Sequence, residues 1–479
     1  MASMTQRLLV FAALFLVPAC FWARPSHGGG EAKIKLPRRV SAADVAVPAG
    51  FSIAVAGTGF TFPTAVAFDT AGVPYVLEAG YSYGEAFARP RILRGDPTGR
   101  WIEVVSGTTG PWTGMAFYQG AFYVADGSYL GRILRITPAG DMQVLVTGLP
   151  SRGDHHTNGP AVGPDGKLYF GQGTATNSGV VGTDNADFGW RKRDPEFHDT
   201  PCRDLVLTGE NFTAEGKTTG AFSPFGTATA HGERVPGRVP CNGAIMRSPL
   251  TGGTPELVAW GLRNPFGLAF GPGGFLYVTE NGFDERGSRP IFGAGDELWR
   301  IDPQAPPVWF GWPDFSGGRP VTAAGFTPPF GKKPGMLLAE RPGTPPRPAA
   351  EFGVHSSANG LAFAPDARWG QPSHAYVAEF GDMAPKVGKV TSPVGFQVVR
   401  VNVATGDIDS FVTNKGDVIG PAAEQGGAGI ERPVSVAFAP DGALWVVDFG
   451  ILTVSARGPH AYPGTGVLWK IMPPGGRHE

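Results

Sequence analysis

Cysteine is scarce in this chain, with three among 479 residues, at positions 20, 202 and 241. That is too few for a disulfide scaffold or a Cys-rich zinc site. No CxxCH segment is present, so a covalently attached haem is not encoded. HExxH and a phosphate-binding glycine loop are also missing, which sets aside the zinc-protease and P-loop classes. Charge is low as well: Asp, Glu, Lys and Arg make up 17% of the residues, the formal net charge is −1, and no basic run occurs. Nucleic acid, which asks for a basic face, is therefore not an expected partner. No stretch of about 20 apolar residues exists, so no spanning helix is expected. Nor does any long stretch carry the apolar spacing of an amphipathic helix, and the chain reads as all-β.

Glycine and proline, by contrast, are abundant, at 72 and 46 residues. They fall between short apolar runs and punctuate strands rather than forming a low-complexity tract. Residues 260–282 (WGLRNPFGLAFGPGGFLYVTENG) give the reference unit: two β-prone runs joined by a Pro272-Gly273-Gly274 turn, the pattern of a hairpin. The same sentence begins at Val66, Met115, Ala161, Leu361 and Val436, which makes six copies. A second signature, two apolar residues and a cation, flanks each copy: residues 92–94, 133–135, 245–247, 298–300, 398–400 and 468–470. Two hairpins per unit and six units predict a six-bladed β-propeller of four-stranded antiparallel blades. Residues 50–55 alternate like a strand and are expected to complete the last blade, closing the ring and removing its open edge.

Arg7 and the apolar run up to Ala19 resemble a secretory signal peptide, assigned to residues 1–23 with cleavage near Ala19 or Ala23. Val17-Pro18-Ala19-Cys20 is a loose lipobox, and a second reading of the same stretch places a lipid anchor on Cys20. Export, to a periplasm or the outside, is the expectation. In such a compartment Cys202 and Cys241 are expected to form a disulfide contributing about 2–4 kcal/mol. Residues 24–49 read as a tether and 50–474 as a single propeller with loop insertions near 182–240, 313–348 and 382–395. Such insertions gather over one face, where binding sites sit.

Several short motifs could carry chemistry. Gly80-Tyr81-Ser82-Tyr83-Gly84 matches a nucleophile pattern that has meaning only at a strand-to-helix elbow, and nothing helical follows. Asn211-Phe212-Thr213 is a bare glycosylation sequon. Asp154-His155-His156 precedes a hairpin, where an extended backbone turns only one histidine toward a given pocket. Such a histidine suits a general base near neutral pH, or a turn satisfied by backbone. Arg263-Asn264 and Arg432 precede two other hairpins, so three lead-in sites should converge at one end of the channel. Arginine there suits a flat anionic ligand, or simply a loop whose carbonyls need donors. Glu280, Asp284, Glu285, Asp296 and Glu297 make an acidic loop that is either solvated or holds a hard cation such as calcium.

With these residues in place, the chain resembles the soluble quinoprotein glucose/sorbosone dehydrogenases, propellers that use pyrroloquinoline quinone (PQQ). The resemblance is carried by residues 261–265, Glu280-Asn281-Gly282, Asp296-Glu297-Leu298, Gly311-Trp312-Pro313, 156–169 and 432–444. It implies oxidation of an aldose, sorbosone or related polyhydroxy aldehyde, with an electron acceptor the sequence does not identify. It makes His156 the base, puts Arg263, Asn264 and Arg432 at the cofactor with Arg263 aiding catalysis, and places calcium near Gly282, Phe283, Asp296 and Glu297. The chain has Gly282-Phe283 where glucose-oxidising members carry Gly-Pro. The family's cofactor-carboxylate lysine has no assigned counterpart, although Lys386 and Lys389 lie in the blade-five loop. Two other readings stay open: a non-catalytic propeller that binds a ligand or protein, and a calcium-dependent propeller lactonase.

Overall fold

A computed structural model describes residues 34–476 apart from 83–85, 188, 329–330, 385–386, 389, 391, 417–418 and 456–457. The signal-peptide stretch with Cys20, and Lys386 and Lys389, lie outside the described residues.

Six four-stranded antiparallel units follow one another around a ring. Blade one is built from Pro63–Phe68, Pro74–Glu78, Arg91–Gly95 and Trp101–Ser106, and blade two from Trp112–Tyr118, Ala121–Asp126, Gly131–Ile136 and Met142–Leu149. Blade three uses Thr157–Val162, Lys167–Gln172, Ala244–Pro249 and Glu256–Trp260, and gains a short fifth strand, Val308–Trp309, that runs parallel. Blade four is Pro265–Phe270, Leu276–Glu280, Gly295–Ile301 and Ala350–Val354. Blade five is Ala358–Phe363, His374–Glu379, Gln397–Asn402 and Asp407–Asn414. Blade six joins Pro433–Phe438, Leu444–Asp448 and Gly466–Met472 to the N-terminal strand Ser52–Phe60, paired from Ser52 opposite Met472 to Phe60 opposite Gly466.

The second strand of each blade is covered on both faces by neighbouring blades, which is why these runs read as unbroken apolar sequence rather than as alternation. Leu276–Glu280 and Leu444–Asp448 are buried along their whole length. Each second strand ends in a buried polar residue opposite the start of the first: Glu78, Asp126, Gln172, Glu280, Glu379 and Asp448. These groups fasten the chain locally. Glu78 accepts the Thr61 N–H at 2.8 Å and Asp448 accepts the Arg432 N–H at 3.0 Å, while Glu280 accepts the Arg263 N–H. The lead-in loop of blades one, four and six is thereby held to its own second strand.

The expected tether is packed where it is described. Arg38 donates to Thr465 O (2.6 Å), Gly429 O (2.7 Å) and Asp448 Oδ2 (2.6 Å), and Val45–Ala46 adds a short strand to blade five. The blade-three insertion contains two short helices, Thr183–Asp187 and Trp190–Arg193, a small hairpin (Asn211–Ala214 with Lys217–Gly220) and a two-stranded pair that encloses it in sequence (Leu205–Val206 with Arg234–Val235). Cys202 and Cys241 are bonded across its base, with Cα atoms 5.0 Å apart. Leu207 bridges to Leu338, so this insertion meets that of blade four over the same face.

Candidate functional site

A cavity of about 580 Å³ lies where the first strands converge. The second residue of the first strand in all six blades lines it: Thr64, Thr113, Asn158, Phe266, Asn359 and Val434. Its walls are completed by the lead-in loops of blades three and four and by the insertions. The Gly80–Ser82 portion of the nucleophile-like motif enters a short hairpin, not a helix, so no elbow is formed.

His155 and His156 both border the cavity, in different ways. His155 is buried, with Nδ1 3.0 Å from both the carbonyl and the hydroxyl oxygen of Thr174, and burial followed by Arg263 and Arg286 holds its pKa well below the ordinary value. His156 is half-buried and edge-on to Tyr81 at 6.1 Å between centroids. Its Nδ1 is buried without a hydrogen-bond partner, and burial lowers its pKa to about 4. His156 is therefore a neutral imidazole at pH 7.

Asn264 belongs to a row of amides across the channel floor. Asn158 Nδ2 donates to Asn264 Oδ1 (3.1 Å), Asn264 Nδ2 to Asn281 Oδ1 (2.9 Å), and Asn281 Nδ2 to Ala358 O (2.9 Å). The row runs from blade three to blade five and fixes each amide by its neighbour.

Arg263 forms part of a buried ionic knot that the sequence did not reveal. It donates through Nη2 to Asp284 Oδ2 (2.7 Å) and Asn177 Oδ1 (2.9 Å). Arg286 donates to the same Asp284 oxygen through Nε (2.9 Å), and through Nη1 to Asp154 Oδ2 (2.7 Å) and Asp184 Oδ2 (2.6 Å). Burial pushes the Asp284 carboxyl up, but Arg263 and Arg286 outweigh it and leave its pKa below the ordinary value. Asp154 is pushed up to about 6, mainly by burial, with Arg286 opposing. His355 adds a third imidazole to the wall, with Nδ1 3.8 Å from Asp284 Oδ1 and a strained φ of 65°. Asp284 belonged to the acidic loop read from sequence, but Arg286, Asp184 and His355 stood in no motif.

Arg432 is a correction. It occupies the lead-in position equivalent to Asn264, yet its side chain does not reach the cavity. The guanidinium is buried between the Phe380 and Phe396 rings (5.0 and 4.8 Å) and donates to Asp382 O (3.0 Å), Gly381 O (3.3 Å) and Leu452 O (3.1 Å). It is a carbonyl-satisfying arginine between blades five and six. The carboxylates proposed for calcium separate too. Asp296 lines the cavity and accepts from Gly282 N–H (2.8 Å), Ser356 Oγ (3.0 Å) and Ala358 N–H (2.9 Å). Glu297, the next residue of the strand, points to the opposite face. It borders, with Phe283, a separate cavity of about 10 Å³, room for roughly one water. Among the described residues no three His, Cys, Asp or Glu side chains form a metal-ligand set.

The fold is a six-bladed propeller with a cavity where its first strands converge, and solved structures that share this fold include soluble PQQ sugar dehydrogenases. The chain is similar to the PQQ-bound aldose sugar dehydrogenase of Streptomyces coelicolor (19% identity, 89% of this chain and 100% of that one, TM-score 0.50). It is similar to the holo PQQ domain of Coprinopsis cinerea pyranose dehydrogenase (17% identity, 92% and 98%, TM-score 0.53). A Trichoderma reesei carbohydrate-active enzyme of family AA12, in a calcium structure, gives 16% identity, 91% and 98% coverage and a TM-score of 0.54. At these identities the likeness is one of fold. No protein-family model and no curated protein sequence matches the chain.

Proposed function

We propose that the axial cavity is the active site of a quinoprotein oxidoreductase acting on an aldose, sorbosone or related polyhydroxy aldehyde, in an exported protein. The observation that carries the reading is His156: a neutral imidazole on the cavity wall, beside Arg263 and Asn264, in the fold of the PQQ sugar dehydrogenases.

A planar, polycarboxylated quinone would lie against Arg193, Arg263 and Arg286 and the amides of Asn158, Asn264 and Asn281, which line the wall. Asp284, Asp154 and Asp184 balance Arg263 and Arg286, and Arg263 and the amides already donate to protein acceptors, so the quinone's carboxylates would have to take over some of those bonds. When bound, the quinone supplies a two-electron acceptor for the hydride. His156 takes the proton of the substrate hydroxyl; its low pKa keeps it unprotonated at neutral pH while making it a weaker base than an ordinary histidine. Arg263, fixed by Asn177 and Asp284, orients and stabilises negative charge without having to reorganise. The carboxylate pair does not fit a calcium site, since Asp296 and Glu297 face apart, and no step is routed through calcium.

The amide row favours a second reading, a calcium-dependent lactonase, whose chemistry asks for amide and carboxylate oxygens on the channel axis. One titration separates the two. Purified protein is titrated with PQQ in the presence of calcium, following quinone absorbance and dye reduction over an aldose panel. Saturation at one equivalent with sugar-dependent turnover, lost in His156→Ala, is the expected result. A folded protein that takes up no PQQ overturns the quinone reading, and calcium-dependent lactone hydrolysis would then support the second.

A further inference from the structure

Arg263 lines the cavity, yet most of its donors are already taken. A guanidinium has five N–H groups, and four of them go to the protein. Nε donates to Asn177 O (3.1 Å), Nη1 to Asn281 O (3.3 Å), and Nη2 to Asn177 Oδ1 (2.9 Å) and Asp284 Oδ2 (2.7 Å). Of these acceptors only Asp284 is an anion. It borders the same cavity, and it holds the place on Arg263 that the carboxylate of an entering ligand would take. Exchanging one carboxylate for another gains little at Arg263 itself. The displaced Asp284 also needs a new partner, because a buried charge left without one is strongly unfavourable.

Such a partner stands beside it. Asp284 uses Oδ2 for both Arg263 and Arg286 Nε (2.9 Å), while its Oδ1 lies 3.8 Å from Nδ1 of His355. That gap is too long for a hydrogen bond, and a turn of the carboxylate closes it. The backbone stays put: Asp284 N–H and O are both held by the Asn177 amide, at 2.9 Å each. Arg263 likewise stays where Asn177 holds it. His355 is buried, and its Nε2 has no hydrogen-bond partner. With no acceptor at Nε2, the ring proton is placed on Nδ1, facing the carboxylate. The ring has no room to withdraw, since a Cβ on Gly388 would stand 2.3 Å from Nε2. A buried imidazole with one nitrogen unsatisfied, on a backbone at φ 65°, is an unfavourable arrangement of the kind that collects at ligand sites.

We infer that Asp284 is a resident counter-ion that passes from Arg263 to His355 when a carboxylated ligand enters, and that this exchange sets how tightly the cavity holds anions. The inference deepens the quinoprotein reading and rests on it only for the identity of the anion. PQQ, benzene-1,3,5-tricarboxylate (three carboxylates and no quinone) and glucose are titrated by calorimetry into the full chain and its variants. Asp284→Asn removes the competing charge and should tighten both tricarboxylates about ten-fold, with glucose changed by less than about two-fold. Asp284→Glu should return the parental values. His355→Gly tolerates the positive φ and removes the receiving imidazole, and should weaken both tricarboxylates about ten-fold. It carries the test if Asp284→Asn fails to fold. Unaltered tricarboxylate affinity in folded Asp284→Asn or in folded His355→Gly overturns the exchange, as does a complete lack of tricarboxylate binding in every variant. Failure of the quinone reading looks different: benzenetricarboxylate tightens in Asp284→Asn, while PQQ binds no better than benzenetricarboxylate and gives no sugar-dependent turnover.

Discussion

Asp296 and Glu297 adjoin in the third strand of blade four and face opposite ways: Asp296 toward the channel and Ser356, Glu297 toward Ser316, whose Oγ donates to it at 2.9 Å. Burial, followed by the neighbouring Glu280 carboxyl, pushes the Glu297 pKa well above its ordinary value and disfavours its charged form. Glutamine is then close to an isosteric replacement. Glu297→Gln is expected to leave calcium affinity by calorimetry and the thermal midpoint essentially unchanged at pH 7. Asp296→Asn, which puts an amide among three donors, should lower the midpoint by several degrees, about 1–3 kcal/mol.

The base sets the acid limb of activity. With its pKa depressed to about 4, His156 stays neutral down to that pH. Turnover should hold from pH 7 to about 5 and fall through pH 4, rather than near 6.5 as for an ordinary histidine. A pH–rate profile of kcat/KM checks it, and an inflection near 6.5 would remove His156 from the role.

Arg286 joins three carboxylates from three parts of the chain. Arg286→Met leaves Asp154, Asp184 and Asp284 with one balancing arginine in a buried wall. The expected loss is about 3–5 kcal/mol in urea denaturation. The double change Arg286→Met, Asp184→Leu should recover part of that loss.

Glu431 offers a pH signature of the ring closure. Burial raises its pKa to about 8, against the opposing charge of Arg38 at 3.8 Å. Between its unfolded value near 4 and 8, the folded state binds the extra proton, so this residue lowers stability as pH rises through that window. Glu431→Gln should flatten the fall in thermal midpoint between pH 5 and pH 9. Parallel curves for variant and parent would show that Glu431 does not titrate there.

Much of this was legible from residues. Motifs counted twice to six gave the blades, the alternating residues 50–55 gave the closing strand, and two late cysteines gave the disulfide. That His156, Arg263 and Asn264 border one cavity was legible because lead-in loops of a propeller must converge. Arg432 was misread for the same reason: repeat equivalence assigns a backbone position, while the rotamer follows local demand, here the carbonyls of residues 381–382 and 452 and two phenyl rings. The Arg286 knot was invisible because Asp184 reaches it from 102 residues away through an insertion with no repeat to index it. The segment before residue 50 looked like a tether because its contacts follow no repeat: Arg38 bonds Asp448, and Val45 packs into an apolar cluster between blades five and six.

That bond spans 410 residues of chain, and the strand beside it completes the sixth blade. Among the blade strands described, Ser52–Phe60 comes first in the chain and pairs with the last, Gly466–Met472. At about 5–20 residues per second, its partner follows only after tens of seconds. Through that interval five blades can assemble in order while the sixth keeps an open edge and the early strand stays unclaimed. The time of greatest exposure to wrong partners is therefore set by the position of a single seam.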